Sequence, residues 1–375
     1  MIKNILKKLF KKISYGIFFI IYGKIEKSIK CLNNHRIKVN SFNIEKNLKY
    51  NVYEILKARL YTDRIQDVAV IIDNKIIEGP SFQLRNTHDS KIYNAKINNN
   101  IVFSKGTPRK LRYLNGNVLS LLTGGGGNNN YWHWLFDVLP RISLCSKFIS
   151  LKEIDYFLLP DHIKKYQIET LDLLKIEKSK RISSEKFRHI KVDKLILTDH
   201  PVVTSGDATK DIMVMPGWIS LWLKKQFLIE NSISAEVKTK KIYIDRSVNS
   251  QNKQEPRFIE NENEVKEYLL KNGFTSIKLH ETKFIEQVKL FNNAECIVGL
   301  HGGGFANLAF CKPGTKAIEL RSLNSGTPIE NLAKKNNLNY KSIIVKANKI
   351  ERYNFPNQQG SIEVSMDSLI KVLKN

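Results

Sequence analysis

The first 22 residues place apolar and basic positions on opposite sides of a helix. Ile2, Ile5, Leu6, Leu9, Phe10 and Ile13 recur at helical spacing, while Lys3, Lys7, Lys8, Lys11 and Lys12 take the other face; this predicts an amphipathic helix. Residues 13–22 continue it as a nearly unbroken apolar run, far short of the roughly 20 residues a spanning helix needs. A signal peptide would also start basic and turn apolar, but Lys24-Ile25-Glu26-Lys27 stands where a small-x-small cleavage site would be. The expectation is a helix lying in the membrane interface, held by lysine to anionic lipid. An ordinary packed helix is the alternative.

Over residues 45–115 the pattern is strand-like with turn signals. Residues 68–72 and Ile76-Ile77 flank Asp73-Asn74-Lys75, a hairpin signature, and Gly79-Pro80 closes it. From Val118 onward, strands alternate with helices. Residues 118–122, 156–159 and 195–197 read as strands, residues 123–130 as a glycine and asparagine loop, and the aromatic run from Tyr131 as helix. A lysine-rich polar stretch at 229–240 reads as a junction. Beyond it, strands at 241–244, 277–279, 296–299 and 317–320 alternate with helices at 263–272 and 284–294. Strand–helix alternation implies an α/β fold with a largely parallel sheet.

A length of 375 residues suits roughly two domains, and 42% hydrophobic residues suffice for buried cores. The net charge of +25 admits nucleic acid, an anionic membrane surface or phosphorylated substrates as partners. Richness in Lys, Asn and Ile makes part of that charge compositional, so charge alone selects no partner. Cys31, Cys145, Cys296 and Cys311 are scattered without C-x-x-C spacing, which fits reduced thiols and neither a disulfide scaffold nor a zinc site.

Residues 296–320 read C-I-V-G-L-H-G-G-G-F-A-N-L-A-F-C-K-P-G-T-K-A-I-E-L. A strand runs into His301 and the glycines Gly302, Gly303 and Gly304; a helix start comes next, then a strand ending in Glu319. Glycines admit close backbone approach and helix N-termini favour anions, so the unit is expected to cradle a pyrophosphate, with His301 and Asn307 adding donors. A tight packing turn is the alternative, but one glycine would suffice for it. The same string serves as an oxyanion-hole loop in lipase-like hydrolases, yet no G-x-S-x-G elbow occurs in the chain.

A second motif is Tyr131-Trp132-His133-Trp134-Leu135-Phe136-Asp137-Val138-Leu139-Pro140-Arg141. His133 and Asp137 are four apart and share one helical face. Burial among aromatics is expected to raise the Asp137 pKa and make it a general base; a plain core hydrogen bond is the alternative. No third ligand accompanies them, so no metal is expected there. Arg246 comes directly after a strand and Arg257 lies in the loop beyond; either guanidinium could neutralise a leaving diphosphate. Glu281 and Glu319, at strand ends, could accept from sugar hydroxyls or cap helices. The chain contains no D-x-D, so cationic side chains and a helix N-terminus would replace a metal.

In N-Y-W-H-W-L-F-D-V-L-P-R (130–141), K-I-Y-I-D-R-S (241–247), N-E-x-E (261–264), N-G-F (272–274), F-I-E-Q-V-K-L-F-N-N-A-E (284–295) and the glycine cradle with P-G-T-K-A-I-E-L, the chain resembles glycosyltransferase family 61 over roughly residues 115–345. The resemblance implies a GT-B-like architecture of two facing Rossmann-like domains, the C-terminal one holding the nucleotide-sugar, and inverting transfer without a bound metal. With the basic amphipathic N-terminal helix, this divides the chain into a membrane-surface segment (1–44), an acceptor-side domain (45–235), a nucleotide-sugar-binding domain (236–345) and a tail (346–375) packing back on the N-terminal domain. The co-substrate is expected to be a UDP-linked sugar with no other cofactor. The bacterial branch is similar to enzymes of capsule or lipopolysaccharide assembly, which implies a glycan or glycolipid acceptor and a cytoplasmic site on the inner face of the plasma membrane. Two positions depart from the family pattern: Gly303 replaces a usual Ala, and Asp137 a frequent Glu. The rivals are a nucleic-acid binder and a hydrolase or phosphatase using the same cradle. The former would interleave aromatics with lysine and arginine, whereas the aromatics here cluster at Tyr131–Phe136 in an apolar run.

Overall fold

The computed structural model describes residues 2–31, 34–45, 48–63, 67–84, 97–105, 107–122, 130–205, 207–230, 238–246, 257–348 and 360–374. The expected glycine loop at 123–129, most of the expected junction (231–237) and Ser247 lie outside the described residues. The chain divides into two compact units, Met1–Ile212 and Met213–Asn375. Both contain parallel strands with helices between them, which makes the protein a mixed α/β chain.

In the first unit the central strand Arg112–Ser120 pairs in parallel with His189–Thr198 on one side and Tyr156–Leu159 on the other, and Arg181–Ser183 extends the parallel part. Mostly antiparallel strands complete the sheet beyond His189–Thr198, which pairs with Leu48–Leu56 along one half and with Arg59–Tyr61 along the other; the edge strand Glu26–Ile29 pairs in parallel with Lys75–Ile77. The hairpin at Asp73-Asn74 is present: Asp67–Ile72 pairs antiparallel with Lys75–Ile77. Both turn residues have positive φ, 47° and 57°, the left-handed pair that a two-residue hairpin requires and that Asp and Asn tolerate.

The N-terminal helix spans Ile2–Tyr22 and is apolar on more than one side. Near its C-terminal end Phe18 is 1% exposed and packs with Ile25, Tyr61, Ala69, Ile71, Ile76 and Val102; Tyr22 meets His189 edge-on at 4.5 Å between ring centres. Ile5, Leu6, Leu9, Phe10, Ile13 and Ile20 are all more than half exposed. The helix thus docks by one end and leaves an apolar surface uncovered. No helix among the described residues is long and apolar enough to cross a membrane.

The second unit is built on an all-parallel sheet in the order Thr275–Ile277, Lys241–Ile244, Cys296–Leu300, Lys316–Ser322, Asn339–Val345. Counted along the chain this is 2-1-3-4-5. The order reverses between Lys241–Ile244 and Cys296–Leu300, and open α/β sheets bind ligands at the carboxyl ends of strands beside such a reversal.

Two boundaries differ from the sequence expectation. Helix Gly217–Lys224 and the wide turn Lys225–Ile229 fall in the second unit, because Phe227 is fully buried with its ring against Phe284 (4.9 Å) and Phe310 (6.4 Å). The C-terminal tail, expected on the first domain, packs elsewhere. Gly360–Ile362 pairs with Arg257–Ile259, and Leu369 of helix Met366–Lys374 joins the core of Val265, Leu269 and Phe274. Its apolar face finds its partner within its own unit.

Candidate active site

Asn130 starts the aromatic segment, its side chain accepting from Trp132 N at 3.0 Å. The expected regular helix is interrupted. Tyr131–His133 is α-helical, Trp134–Val138 is a π-helical turn closed by Leu139 N to Trp134 O at 3.1 Å, and Pro140 opens the helix Pro140–Cys145. π turns are rare insertions and frequently sit at functional sites. This one is held by buried Trp134, Leu135 and Phe136, with Trp134 Nε1 donating to Thr170 Oγ1 at 2.8 Å. It carries His133 and Asp137 into contact, Nδ1 to Oδ2 at 2.6 Å. The His133 side chain is 23% exposed and that of Asp137 7%. The dyad therefore turns its imidazole outward and its carboxylate inward.

Arg141, one further turn along, is buried beneath the pair. Its Nε donates to Asp137 O at 3.2 Å and its Nη1 to Thr198 O at 2.9 Å. Burial lowers the Arg141 pKa to about 10 against the pull of Asp137 and Asp199. For Asp137, burial pushes upward, but the facing His133 charge, its hydrogen bond, His200 and Arg141 outweigh it, and the carboxyl is held below its usual range. The expected raised pKa is therefore corrected. Aromatic burial is real, but the cations around this carboxylate dominate it. An ionised, enclosed carboxylate bonded to Nδ1 is suited to orienting an imidazole whose other nitrogen takes a proton.

In the second unit, Arg246 comes just after Lys241–Ile244 and the glycine cradle just after Cys296–Leu300, so both stand at the strand reversal. Arg246 Nη1 donates to His301 O at 2.9 Å, bridging the two strand ends. Gly302, Gly303 and Gly304 are half-buried, and the next helix, Gly303–Phe310, is 3₁₀. Its first bond is Phe305 N to Gly302 O at 3.1 Å, so the N–H groups of Gly303 and Gly304 precede the helical ladder and form its anion-favouring end. Close packing accounts for part of the glycine run. A Cβ on Gly304 would lie 2.8 Å from Leu279 Cδ1, and one on Gly302 2.8 Å from Arg246 Nη1. Beside Arg246, the buried Asp245 carboxylate accepts from Lys266 Nζ at 2.6 Å and Ser276 Oγ at 2.7 Å.

The other expected donor-site residues separate into those behind the cradle and those away from it. His301 is buried, its Nδ1 bonded to Glu319 Oε1, while Glu319 Oε2 accepts from Tyr340 Oη. Glu319 is fully buried and both oxygens are engaged, so it faces no sugar hydroxyl; it props His301. Burial and the Glu319 charge push the Tyr340 phenol up, keeping it a donor. Asn307 is also fully buried, donating to Gln287 Oε1 at 2.9 Å, and packs the cradle from inside. Arg257 opens a strand paired with Gly360–Ile362 and is not part of a free loop. The strand before Glu281 ends at Ile277, which leaves Glu281 on an exposed turn with Lys278 and His280 at 3.9 and 3.4 Å. Among the described residues no group of three or more His, Cys, Asp or Glu is placed to hold a metal.

Sequence reasoning missed Arg141, Asp199, His200 and the Asp245–Lys266–Ser276 set. Two signals were available: Arg141 continues the His133, Asp137 spacing by another four residues, and Asp199-His200 sit at the carboxyl end of a parallel strand.

These features lie in a segment of known kind. The family model described as Glycosyltransferase 61 matches residues 131–318, just over half of the 375-residue chain, from the first residue of the aromatic helix into the strand Lys316–Ser322. The chain belongs to glycosyltransferase family 61. It is an enzyme, and its reaction is the transfer of a sugar from a donor to an acceptor. No curated protein matches the chain.

Proposed function

We propose that the protein is an inverting, metal-independent glycosyltransferase that moves a sugar from a nucleotide-sugar, UDP-linked, to a hydroxyl of a surface glycan or glycolipid. The observation that carries this reading is the 2.6 Å His133–Asp137 dyad in the family-matched segment. Asp137 accepts from Nδ1–H and fixes the tautomer; His133 Nε2 takes the proton from the acceptor hydroxyl as its oxygen attacks the anomeric carbon. The bond to the diphosphate oxygen breaks on the opposite side. Arg246 and the N–H groups of Gly303 and Gly304 meet the charge that develops on the departing diphosphate. This assigns acceptor chemistry to the first unit and donor binding to the second, as the two halves of a GT-B-like enzyme. Compared with the sequence expectation, the roles within the dyad are exchanged, because the carboxylate is enclosed and held below its usual pKa while the imidazole is the more exposed partner.

The exposed apolar residues Ile5, Leu6, Leu9, Phe10 and Ile13, alongside exposed Lys8, Lys11 and Lys12, support a helix resting on an anionic membrane surface, where a lipid-linked acceptor of capsule or lipopolysaccharide assembly would be met from the cytoplasmic side. Thermal-shift screening with a panel of nucleotide-sugars tests the main reading. A donor should raise the melting temperature in proportion to the logarithm of its concentration, and transfer should disappear in His133→Ala while that shift persists. Full transfer by His133→Ala would end the assignment of the base.

A further inference from the structure

A cavity of about 190 Å³ lies in the first unit next to the dyad. Its wall includes Phe82, Leu122, Arg141, Asp199, His200 and Thr204. Neither His133 nor Asp137 lines it, but Arg141 belongs to both places, since its Nε donates to Asp137 O. The volume corresponds to about six waters at the liquid's share per molecule, on the scale of one sugar ring. Its wall mixes apolar and polar side chains, as small-molecule sites do to bury one part of a ligand and orient another.

One polar group of this wall stands out. Asp199 is engaged: Oδ1 accepts from Tyr53 Oη at 2.7 Å, and Oδ2 from Asn51 N and Nδ2 at 2.8 Å each. His200 is engaged on one side only. Its Nδ1 accepts from the backbone N–H of both Val202 and Val203 at 3.1 Å. A ring nitrogen that accepts two N–H groups carries no proton, so the proton of the neutral ring is on Nε2. Burial, the first cause, lowers the His200 pKa to about 3, so the ring stays neutral. His200 is 5% exposed, and its Nε2 is buried with no hydrogen-bond partner among the described residues. Its ring lies 5.3 Å from that of Phe82, another wall residue. A buried donor left unpaired costs about 1–3 kcal/mol, a cost that native structures seldom carry without use.

We propose that this cavity is the acceptor subsite: it holds one sugar ring of the acceptor glycan, with an oxygen of that ring or its hydroxyls accepting from His200 Nε2–H and its apolar face against Phe82. The inference rests on reading His133–Asp137 as the group that activates the acceptor. His200 is a binding residue here, and it sets which acceptor ring fits beside the dyad.

The test uses the full chain and a panel of methyl glycosides of hexoses, hexosamines and pentoses, observed by saturation-transfer NMR. Two variants accompany the wild type. His200→Asn keeps an acceptor for the Val202 and Val203 N–H groups but removes the Nε2 donor; Thr204→Trp fills the cavity from an exposed wall position. The expected result is saturation transfer to at least one glycoside with wild type. Binding should be weakened roughly 2- to 10-fold in His200→Asn, the size of one neutral hydrogen bond, and lost in Thr204→Trp. The melting shift given by the nucleotide-sugar should be equal in all three proteins. Binding of no glycoside, or binding indifferent to both substitutions, overturns the subsite and leaves the cavity to water. Failure of every nucleotide-sugar to stabilise the wild type would refute the underlying transferase reading instead, so the two failures are told apart.

Discussion

The protein contains two histidine–carboxylate pairs of the same composition and opposite disposition. In His133–Asp137 the imidazole is 23% exposed and a single helical segment supplies both partners. In His301–Glu319 the side chains are 5% and 0% exposed. There the partners come from adjacent parallel strands, with Gly299 level with Glu319. Asp137 supports one ring; Glu319 divides its oxygens between His301 and Tyr340. Pairing alone therefore does not define a catalytic group. What separates the two is whether the imidazole keeps an edge that a substrate can reach. On the proposed reading the first pair exchanges a proton, while the second, with both Glu319 oxygens engaged, holds the cradle in shape.

The sharpest way to break this comparison is to remove each histidine. His133→Ala should lower kcat by about 100- to 10,000-fold, the contribution of a general base, with donor KM unchanged. Asp137→Asn should lose most of the same factor, because the amide no longer fixes the tautomer. An active Asp137→Asn enzyme would contradict the orienting role. Next in size, Arg246→Ala removes a charged donor from the cradle and should weaken nucleotide binding about 10- to 100-fold by calorimetry, the scale of a charge-assisted hydrogen bond. Glu319→Gln should leave kcat near wild type. The cost of a mismatched buried polar group is about 1–3 kcal/mol, lowering the melting temperature by roughly 2–12 °C. A collapse of kcat with intact stability would instead give the second pair a chemical role.

A separate effect is in pH dependence. Burial depresses the pKa of His200 to about 3 and of His189 to about 4, in the latter case aided by the Arg59 charge. In the unfolded chain both titrate near 6.5, so below that pH the unfolded state binds more protons and stability falls as the solution is acidified. Melting temperatures measured from pH 7 down to pH 4 should decline, and His189→Gln should flatten the slope. A flat or rising profile would be inconsistent with both rings being buried neutral.

Much of this arrangement was legible from side-chain pattern. Strands such as Tyr156–Leu159 and Lys241–Ile244 match their apolar runs, and the Asp73-Asn74 turn arises from residues that accept positive φ. The pairing of His133 with Asp137 could be read from spacing. What spacing could not reveal was competition at a distance. The Asp137 pKa depends on Arg141 and His200 as well as on burial, and His200 arrives from the far end of another strand. Glu319 looked like a ligand group because it ends an apolar run; only the sheet register and Tyr340 reveal it as an internal prop. The domain boundary was missed for a similar reason: the polar stretch at 229–240 drew it too late, and only the burial of Phe227 with Phe284 and Phe310 assigns the preceding helix to the second unit.

The π turn at Trp134–Val138 has a further consequence. One extra residue in a helix rotates the residues on its N-terminal side by about 100° relative to those on its C-terminal side. Deleting a single residue, Leu135 for instance, would restore an ordinary ladder and tighten the helix, while swinging the imidazole of His133 to another side of the segment. Fitness at this position is thus written in chain length as well as in residue type. A library of substitutions alone would not sample this change.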